Sequence, residues 1–386
     1  GKRLRYSVPK RVWMSVTGVA VAMLVAVFWV SWWGSSGNPP PLVEPDGLVQ
    51  VVEPVGFVQS ASRTTTFKSG DTFQPGDWVR FEKGRVVVNF ESGAKVAVEG
   101  PADFQIVSSN GAQMIRGQAT IRVPGKIKGF TLDTPSEQIV DLGTSFGVKV
   151  EPDGTTSIAV FEGEVELRGQ QHKSGSQQLT AGKSLRVESR NKSINAIPHD
   201  VTDYLQTWQT SFGVEAIEGA MRVAEPSERS VPGKVVDEDQ LLVFPERESV
   251  KLPVGFVCSA TEPGAYHSPK GLKQQVALGV PVVVDSYLIQ FNPGSALKPG
   301  TPRQFTGTLK FDRSVVGLLF RSAMLDESDA LLGLPSADFG GVFRRGINAG
   351  DQVTLRADRR TLDISFDVFN GVDQIRVLVA SNPNSN

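Results

Sequence analysis

The sequence is poor in the residues that build thiol and metal sites. Its 386 residues hold one cysteine, Cys258, and three widely spaced histidines, His172, His199 and His267. A lone cysteine excludes an intramolecular disulfide framework and a Cys-based zinc site, and three scattered histidines argue against a His-rich metal centre. An excess of one charge is also lacking. Forty basic residues face 41 acidic ones, which leaves no overall field to attract nucleic acid. No G-x-S-x-G elbow, P-loop or dinucleotide fingerprint occurs. No Trp follows Trp208, and only Tyr266 and Tyr287 lie in the distal part, which disfavours sugar stacking. No cofactor is implied.

What is present begins at the N-terminus. Val12 to Trp33 is a run of 22 residues without a charge, long enough to cross a hydrocarbon core of about 30 Å as a helix. Trp13 stands at its start and Trp29, Trp32 and Trp33 at its end, where amphipathic rings mark the two membrane interfaces. Lys2, Arg3, Arg5, Lys10 and Arg11 precede it, and no further basic residue comes before Arg63. The positive-inside rule then keeps the tail in the cytoplasm and exports the rest. A cleaved signal peptide is the competing reading. Its apolar core would be shorter, and no A-x-A cleavage site follows here. The expected location is an inner membrane crossed once, with the lipid bilayer as first partner. The sequence starts with Gly1, so a processed initiator and a missing upstream part are both open.

Beyond the membrane the chain reads as mainly β. The 39 glycines and 24 prolines fall between short apolar runs. Turn signals such as "PGD", "SNG" and "PDG" recur every few residues up to about Glu188. Val86, Val88 and Phe90 share one parity, as do Ala119, Ile121 and Val123, and then Thr156, Ile158 and Val160, so each set lines one strand face. The expected division is a tail (1–11), a transmembrane helix (12–33), a Pro-rich spacer (34–47), a β-sandwich or solenoid-like domain (48–190), a partly helical linker (191–240) and a second β-sandwich (241–386). In the linker, Val201, Leu205 and Trp208 have helical spacing, with Thr202 as a cap. In the distal domain, Leu362, Ile364, Phe366 and Val368 alternate with polar residues before "NGVD", which predicts a hairpin with Gln374 to Val379. Residues 280–291 are nearly all apolar and predict a strand buried on both faces.

Candidate chemistry is sparse. "TLDTPS" (131–136) and "IVDLGTS" (139–145) approach the Asp-Thr-Gly turn of aspartic peptidases. Pro135 replaces the required glycine in the first, and Leu142 and Gly143 separate Asp141 from Thr144 in the second. A bend is the expected role of the second, with Gly143 at an unusual backbone angle and Asp141 or Thr144 bonding local amides. Asp326, Asp329, Asp338 and Asp351 are possible calcium ligands, but their spacing fits no calcium loop and solvated loop carboxylates are the plainer reading.

The ordered blocks "IRGQATIRV", "GFTLDTP", "VDLGTSFGVKV" and "TSIAVFEGEVEL" resemble FecR-type domains, especially planctomycete-like members, over residues 50–188. Gly117, Ala119 and Val123 match the first block of that family, and Phe130 and Thr134 the second. Leu142, Gly143, Thr144, Phe146 and Val148 match the third, and Val160, Gly163 and Val165 the fourth. The resemblance implies a single-pass protein whose exported β domain receives a signal. In the best-known members, which work with TonB-dependent iron transporters, that signal passes to a sigma factor through a cytoplasmic segment. Here the tail Gly1 to Arg11 is too short for a sigma-binding helical domain. The expected function is therefore non-enzymatic signal sensing or protein–protein interaction in the cell envelope, with an envelope protein as partner. The alternative is a structural or adhesive envelope protein that binds polysaccharide or calcium.

Overall fold

A computed structural model describes residues 48–59, 64–124, 129–169, 175–267, 275–294, 303–339, 345–368 and 371–381. The predicted tail, membrane helix and spacer, with Lys10, Arg11, Trp13, Trp29, Trp32 and Trp33, lie outside the described residues. Among the described residues no helix is long and apolar enough to cross a membrane.

The proximal unit is built on one forked sheet. Strands Leu48–Gln59, Trp78–Asn89, Lys95–Ser108 and Gly111–Arg122 pair in antiparallel order. The last of these then serves two partners. Its first residues pair in parallel with Thr131–Asp133, while Gly117 to Arg122 pair with Ser145–Val150. One branch continues through Gln138–Asp141, Glu164–Arg168 and Ser176–Thr180, and the other through Thr156–Glu162, Ser184–Val187 and Ile194–Ile197. Both branches bury their alternate residues in a single core, in which Phe130, Leu132, Ile139 and Leu167 meet Phe146, Val148, Ile158 and Val160. The three alternating sets read from the sequence are all buried. Gly117 allows the fork. It takes φ +125°, and a Cβ there would lie 2.8 Å from that of Ala102.

The distal unit has three layers. A five-stranded sheet (Val214–Gly219, Arg303–Phe311, Thr361–Val368, Gln352–Leu355, Gly264–His267) faces a six-stranded sheet centred on Val282–Phe291 and Asp373–Ala380. An apolar core fills the space between them. Helix Ser322–Leu332 covers the other face of the six-stranded sheet through Met324, Leu325 and Leu332. That cover explains why Val282–Phe291 carries almost no polar face: both its sides are buried, as expected.

Three expectations need correction. The segment 191–240 is not a linker throughout, because Val214–Gly219 joins the five-stranded sheet and Met221–Val223 the six-stranded one. The predicted hairpin does not form. Thr361–Val368 pairs within one sheet and Asp373–Ala380 within the other. The second strand is buried on both faces, including Gln374 and Arg376, so it takes a central place that a half-solvated hairpin arm could not. Finally, Asp326 and Asp329 sit on a helix rather than in a loop.

Candidate functional site

The signature positions divide into a turn and a core. Asp141 ends strand Gln138–Asp141 and is fully buried. Its carboxylate accepts the Gly143 amide at 3.0 Å and the Thr144 hydroxyl. Gly143 takes φ +103°, a backbone angle that residues with a Cβ rarely adopt. Gly163 (φ +74°) packs on this turn so closely that a Cβ would lie 2.4 Å from the Gly143 carbonyl oxygen. Leu142 donates its amide to the Glu164 carbonyl at 3.2 Å. Phe130, Phe146 and Ala119 are buried in the core, and the Phe130 ring meets Phe90 edge-on. Thr134 stands apart, closing its own turn by donating to the Glu137 carbonyl and accepting its amide. The pairing that an aspartic peptidase needs is not assembled, since Asp141 is held by Gly143 and Thr144 and Asp133 by Gln138.

The more elaborate constellation lies where the two units meet. Gln118, Thr120 and Arg122 leave strand Gly111–Arg122 on the side away from the core, and Gly147, Ala159 and Phe161 extend that face. A 3-10 turn at Thr202–Tyr204 and helix Leu205–Ser211 cover it. Thr202 does not cap the turn as expected: the N-cap is Val201, without a side-chain cap bond, and Asp200 accepts the Thr202 amide at 2.9 Å. Gly147 leaves room for the Tyr204 ring: a Cβ at 147 would lie 2.6 Å from it. From Tyr204 an edge-on aromatic series runs through Phe161 and Trp208 to Phe212, with centroids 5.6, 5.6 and 4.8 Å apart. The Thr120 and Thr207 hydroxyls share a hydrogen bond of 2.7 Å, and the Trp208 indole donates to the Ala224 carbonyl at 2.9 Å.

Charge is buried beside these rings. The Arg122 guanidinium lies 3.3 Å from the Phe212 centroid and that of Arg229 4.9 Å from it. Arg122 donates to the Ser211 carbonyl and pairs with Glu248, which also takes Lys95 at 2.6 Å. Burial opposes the charge on Glu248, but Arg122 and then Lys95 outweigh it and hold the carboxyl well below the usual carboxylate range. Arg229 reaches Glu162 of the proximal unit at 3.0 Å and the carbonyls of Pro245 and Glu246 at 2.8 Å each. Burial lowers its pKa, and Glu162 opposes that effect.

From Glu246 the network continues into the distal unit. Its carboxylate takes two hydrogen bonds of 2.7 Å from the fully buried Arg376, plus the Ser286 hydroxyl at 2.6 Å. Arg376 in turn reaches Asp329 on helix Ser322–Leu332 at 2.8 Å. Asp329 also pairs with Arg345, Asp338 with Lys234, and Asp351 accepts the amides of Asn348 and Asp367. Asp329, Asp351 and Asp326, which also meets Arg345, are thus committed to buried or partly buried partners, whereas the Asp338–Lys234 pair is exposed. Among the described residues no group of three His, Cys, Asp or Glu could hold a metal ion. A cleft of about 340 Å³ opens at the junction, lined by Arg85, Gln206, Gln209 and Glu215 among others.

Sequence reasoning did not find Arg122, Arg229, Glu246, Glu248 or Arg376. A charge inside an apolar strand, as in "DQIRVLVA", was the available signal. Chemically, the arrangement joins two cores through aromatic packing and charge-assisted hydrogen bonds.

This is a mainly β protein whose two units meet at a buried aromatic and charged junction. Residues 82–166 match the family model described as FecR protein, so the chain carries a FecR-type domain. The matched range holds every signature position named above. Two solved structures of a "putative anti-sigma factor" from Parabacteroides distasonis ATCC 8503 are similar to parts of it. One is 23% identical over 32% of this chain and the other 17% over 41%, each with a TM-score of 0.28. The alignments span 62% and 79% of those two chains. At that score neither likeness extends to function. No curated protein matches the chain.

Proposed function

We propose that this is a single-pass, membrane-anchored extracytoplasmic protein whose FecR-type domain receives a signal or a protein partner without catalysing a reaction. The observation that carries this reading is the family match over residues 82–166. The uncharged run Val12 to Trp33, with basic residues before it and tryptophans at both ends, supports the anchor. The buried junction supports transmission, because a partner that shifts the proximal unit must strain or move helix Leu205–Ser211 and the Arg122, Glu248 and Arg229 contacts. Transmission to a sigma factor is what the resemblance to FecR-type proteins implies, and the tail Gly1 to Arg11 is by itself too short to bind one.

Two experiments test it. A reporter fused after Trp33 should be active only outside the cytoplasm, and activity inside would refute the orientation. The full chain, tagged at its C-terminus and solubilised in mild detergent, should retain a discrete protein partner from envelope extract. Retention of cell-wall material alone would replace signalling with a structural or adhesive role.

A further inference from the structure

The cleft of about 340 Å³ at the junction mixes apolar and charged lining, with Leu205, Ile217 and Met221 beside Arg85, Gln206 and Glu225. Its walls are remote in sequence. Arg85 belongs to the proximal strand Trp78–Asn89, Gln206 to helix Leu205–Ser211 and Ile217 to the distal strand Val214–Gly219. A ligand there touches both units and the helix between them. Two of the charges that line it are already matched: Glu215 pairs with Lys310 and Arg360, and Arg222 with Glu228 and Asp237.

Three charges are left over. Arg85 donates to the Gln206 side-chain carbonyl at 2.6 Å and reaches the Glu215 backbone carbonyl at 3.5 Å, but its Nε is buried without a hydrogen-bond partner. Glu99 stands opposite it across the strand pair, yet no described carboxylate ion-pairs with Arg85. Glu218 and Glu225, which also line the cleft, form no ion pair with a described side chain. A guanidinium with an unused buried donor favours a carboxylate, and two unmatched carboxylates favour an ammonium group. The spacing sets the length of what carries both. Glu218 is three residues along its strand from Glu215, about 10 Å at the usual rise. An extended peptide advances about 3.3–3.6 Å per residue, so three residues cover that distance. A single amino acid, whose two charges flank one carbon, is too short.

We propose that the cleft binds a short peptide of about three apolar residues with both termini free. Its carboxylate meets Arg85 and Gln206, its ammonium group Glu218 and Glu225, and its side chains lie on Leu205, Ile217 and Met221. The volume stands at the low end for ligand pockets, which selects small side chains. The cleft lies wholly within the described residues and stands whether or not the chain is anchored in a membrane.

The test is calorimetric titration of the full chain in mild detergent with trialanine, its C-terminal amide, its N-acetyl derivative and free alanine. Trialanine should bind, the amide about tenfold more weakly, the acetyl form about threefold more weakly and alanine not measurably. Arg85→Gln should lower the affinity for trialanine to that of the amide. Glu218→Gln combined with Glu225→Gln should remove the preference for the free amine. Ala216 also lines the cleft, and Ala216→Trp should abolish binding by filling it without altering a charge. The ligand series on the unmodified chain decides the matter even where a variant does not fold. No heat with trialanine overturns the proposal, and so does equal affinity for trialanine and its amide. Undiminished binding by a folded Arg85→Gln or Ala216→Trp chain places the peptide elsewhere and overturns it too.

Discussion

Replacing Gly147 by alanine is the sharpest probe of the junction, because the structure reverses its ordinary sign. Glycine inside a strand normally costs stability, and alanine in its place gains about 0.5–1 kcal/mol. Gly147 sits within strand Ser145–Val150 without the positive φ that would exclude alanine. A methyl group there, however, meets three atoms of the Tyr204 ring at 2.6–2.7 Å. Tyr204 cannot retreat freely, since it is buried and rests on Phe161. Forcing an extra methyl into such packing costs about 1–3 kcal/mol, so Gly147→Ala should destabilise the protein by roughly that amount.

The decisive comparison is a double-mutant cycle. Tyr204→Ala alone removes a buried ring and should cost about 3–5 kcal/mol, by analogy with other aromatic truncations. In the double mutant the alanine at 147 no longer meets a ring, so its own cost should vanish or become a small gain. The coupling would then be at least ~1 kcal/mol, clearly above the ~0.5 kcal/mol within which independent sites add. Urea unfolding of the full chain in detergent, followed by near-ultraviolet circular dichroism of the aromatic series, measures each variant. Additivity within ~0.5 kcal/mol would refute the claim that Gly147 is glycine in order to seat Tyr204.

Arg376→Met should cost about 3–5 kcal/mol by leaving Glu246 buried without its partner, and adding Glu246→Leu should recover much of the loss; no recovery would count against the pair as its cause. Gly163→Ala should destabilise the proximal unit by about 2 kcal/mol or more, because it combines φ +74° with a 2.4 Å approach to the Gly143 carbonyl, and an unchanged unfolding midpoint would count against that contact. For pH, burial first and then the charge of Asp351 push Asp373 up to about 7, while the Asn348 hydrogen bond works the other way. The folded state thus prefers the protonated acid: its stabilising contribution is complete below the ordinary value of 3.8 and is lost as pH rises through about 7. That difference corresponds to roughly 4 kcal/mol. Asp373→Asn should therefore flatten the loss of stability between about pH 4 and 7, and an unaltered slope in denaturation across that range would assign it to other groups.

The parts of this fold that could be read from the sequence are those fixed by local pattern. Val86, Val88 and Phe90 alternate because one face of their strand meets the core, and that parity survives any arrangement of neighbours. The Asp141 turn was legible because Asp, Gly and Thr at that spacing satisfy their own backbone locally. Strand Asp373–Ala380 was misread because its neighbours are remote in sequence. Arg376 looks like a solvated residue until Glu246, 130 positions away, is placed beside it. The same holds for Arg122, whose partner Glu248 is 126 residues distant. Helix Ser322–Leu332 was hidden by Asp326 and Asp329, which suggest a loop when counted but face Arg345 in the fold.

The remote pairs also bear on how a signal received by the FecR-type domain would leave it. Proximal residues Lys95, Arg122 and Glu162 each engage a charge of the distal unit, and helix Leu205–Ser211 fills the apolar space between. Such a junction resists gradual deformation, because half-broken buried pairs are more costly than either intact or fully separated ones. If it opens at all, it should open as a whole, giving docked and released arrangements. A partner bound to the proximal unit influences the distal one only if it binds these two arrangements with different affinity. Glu248 makes the claim specific. Its carboxylate holds Arg122 and Lys95 together, so Glu248→Gln should leave each core folded and loosen their docking. Protease sensitivity should then rise around residues 198–213 before either core unfolds. Loss of both cores in one step, with no early cleavage there, would mean that the junction is part of a single folding unit and not a separable coupling.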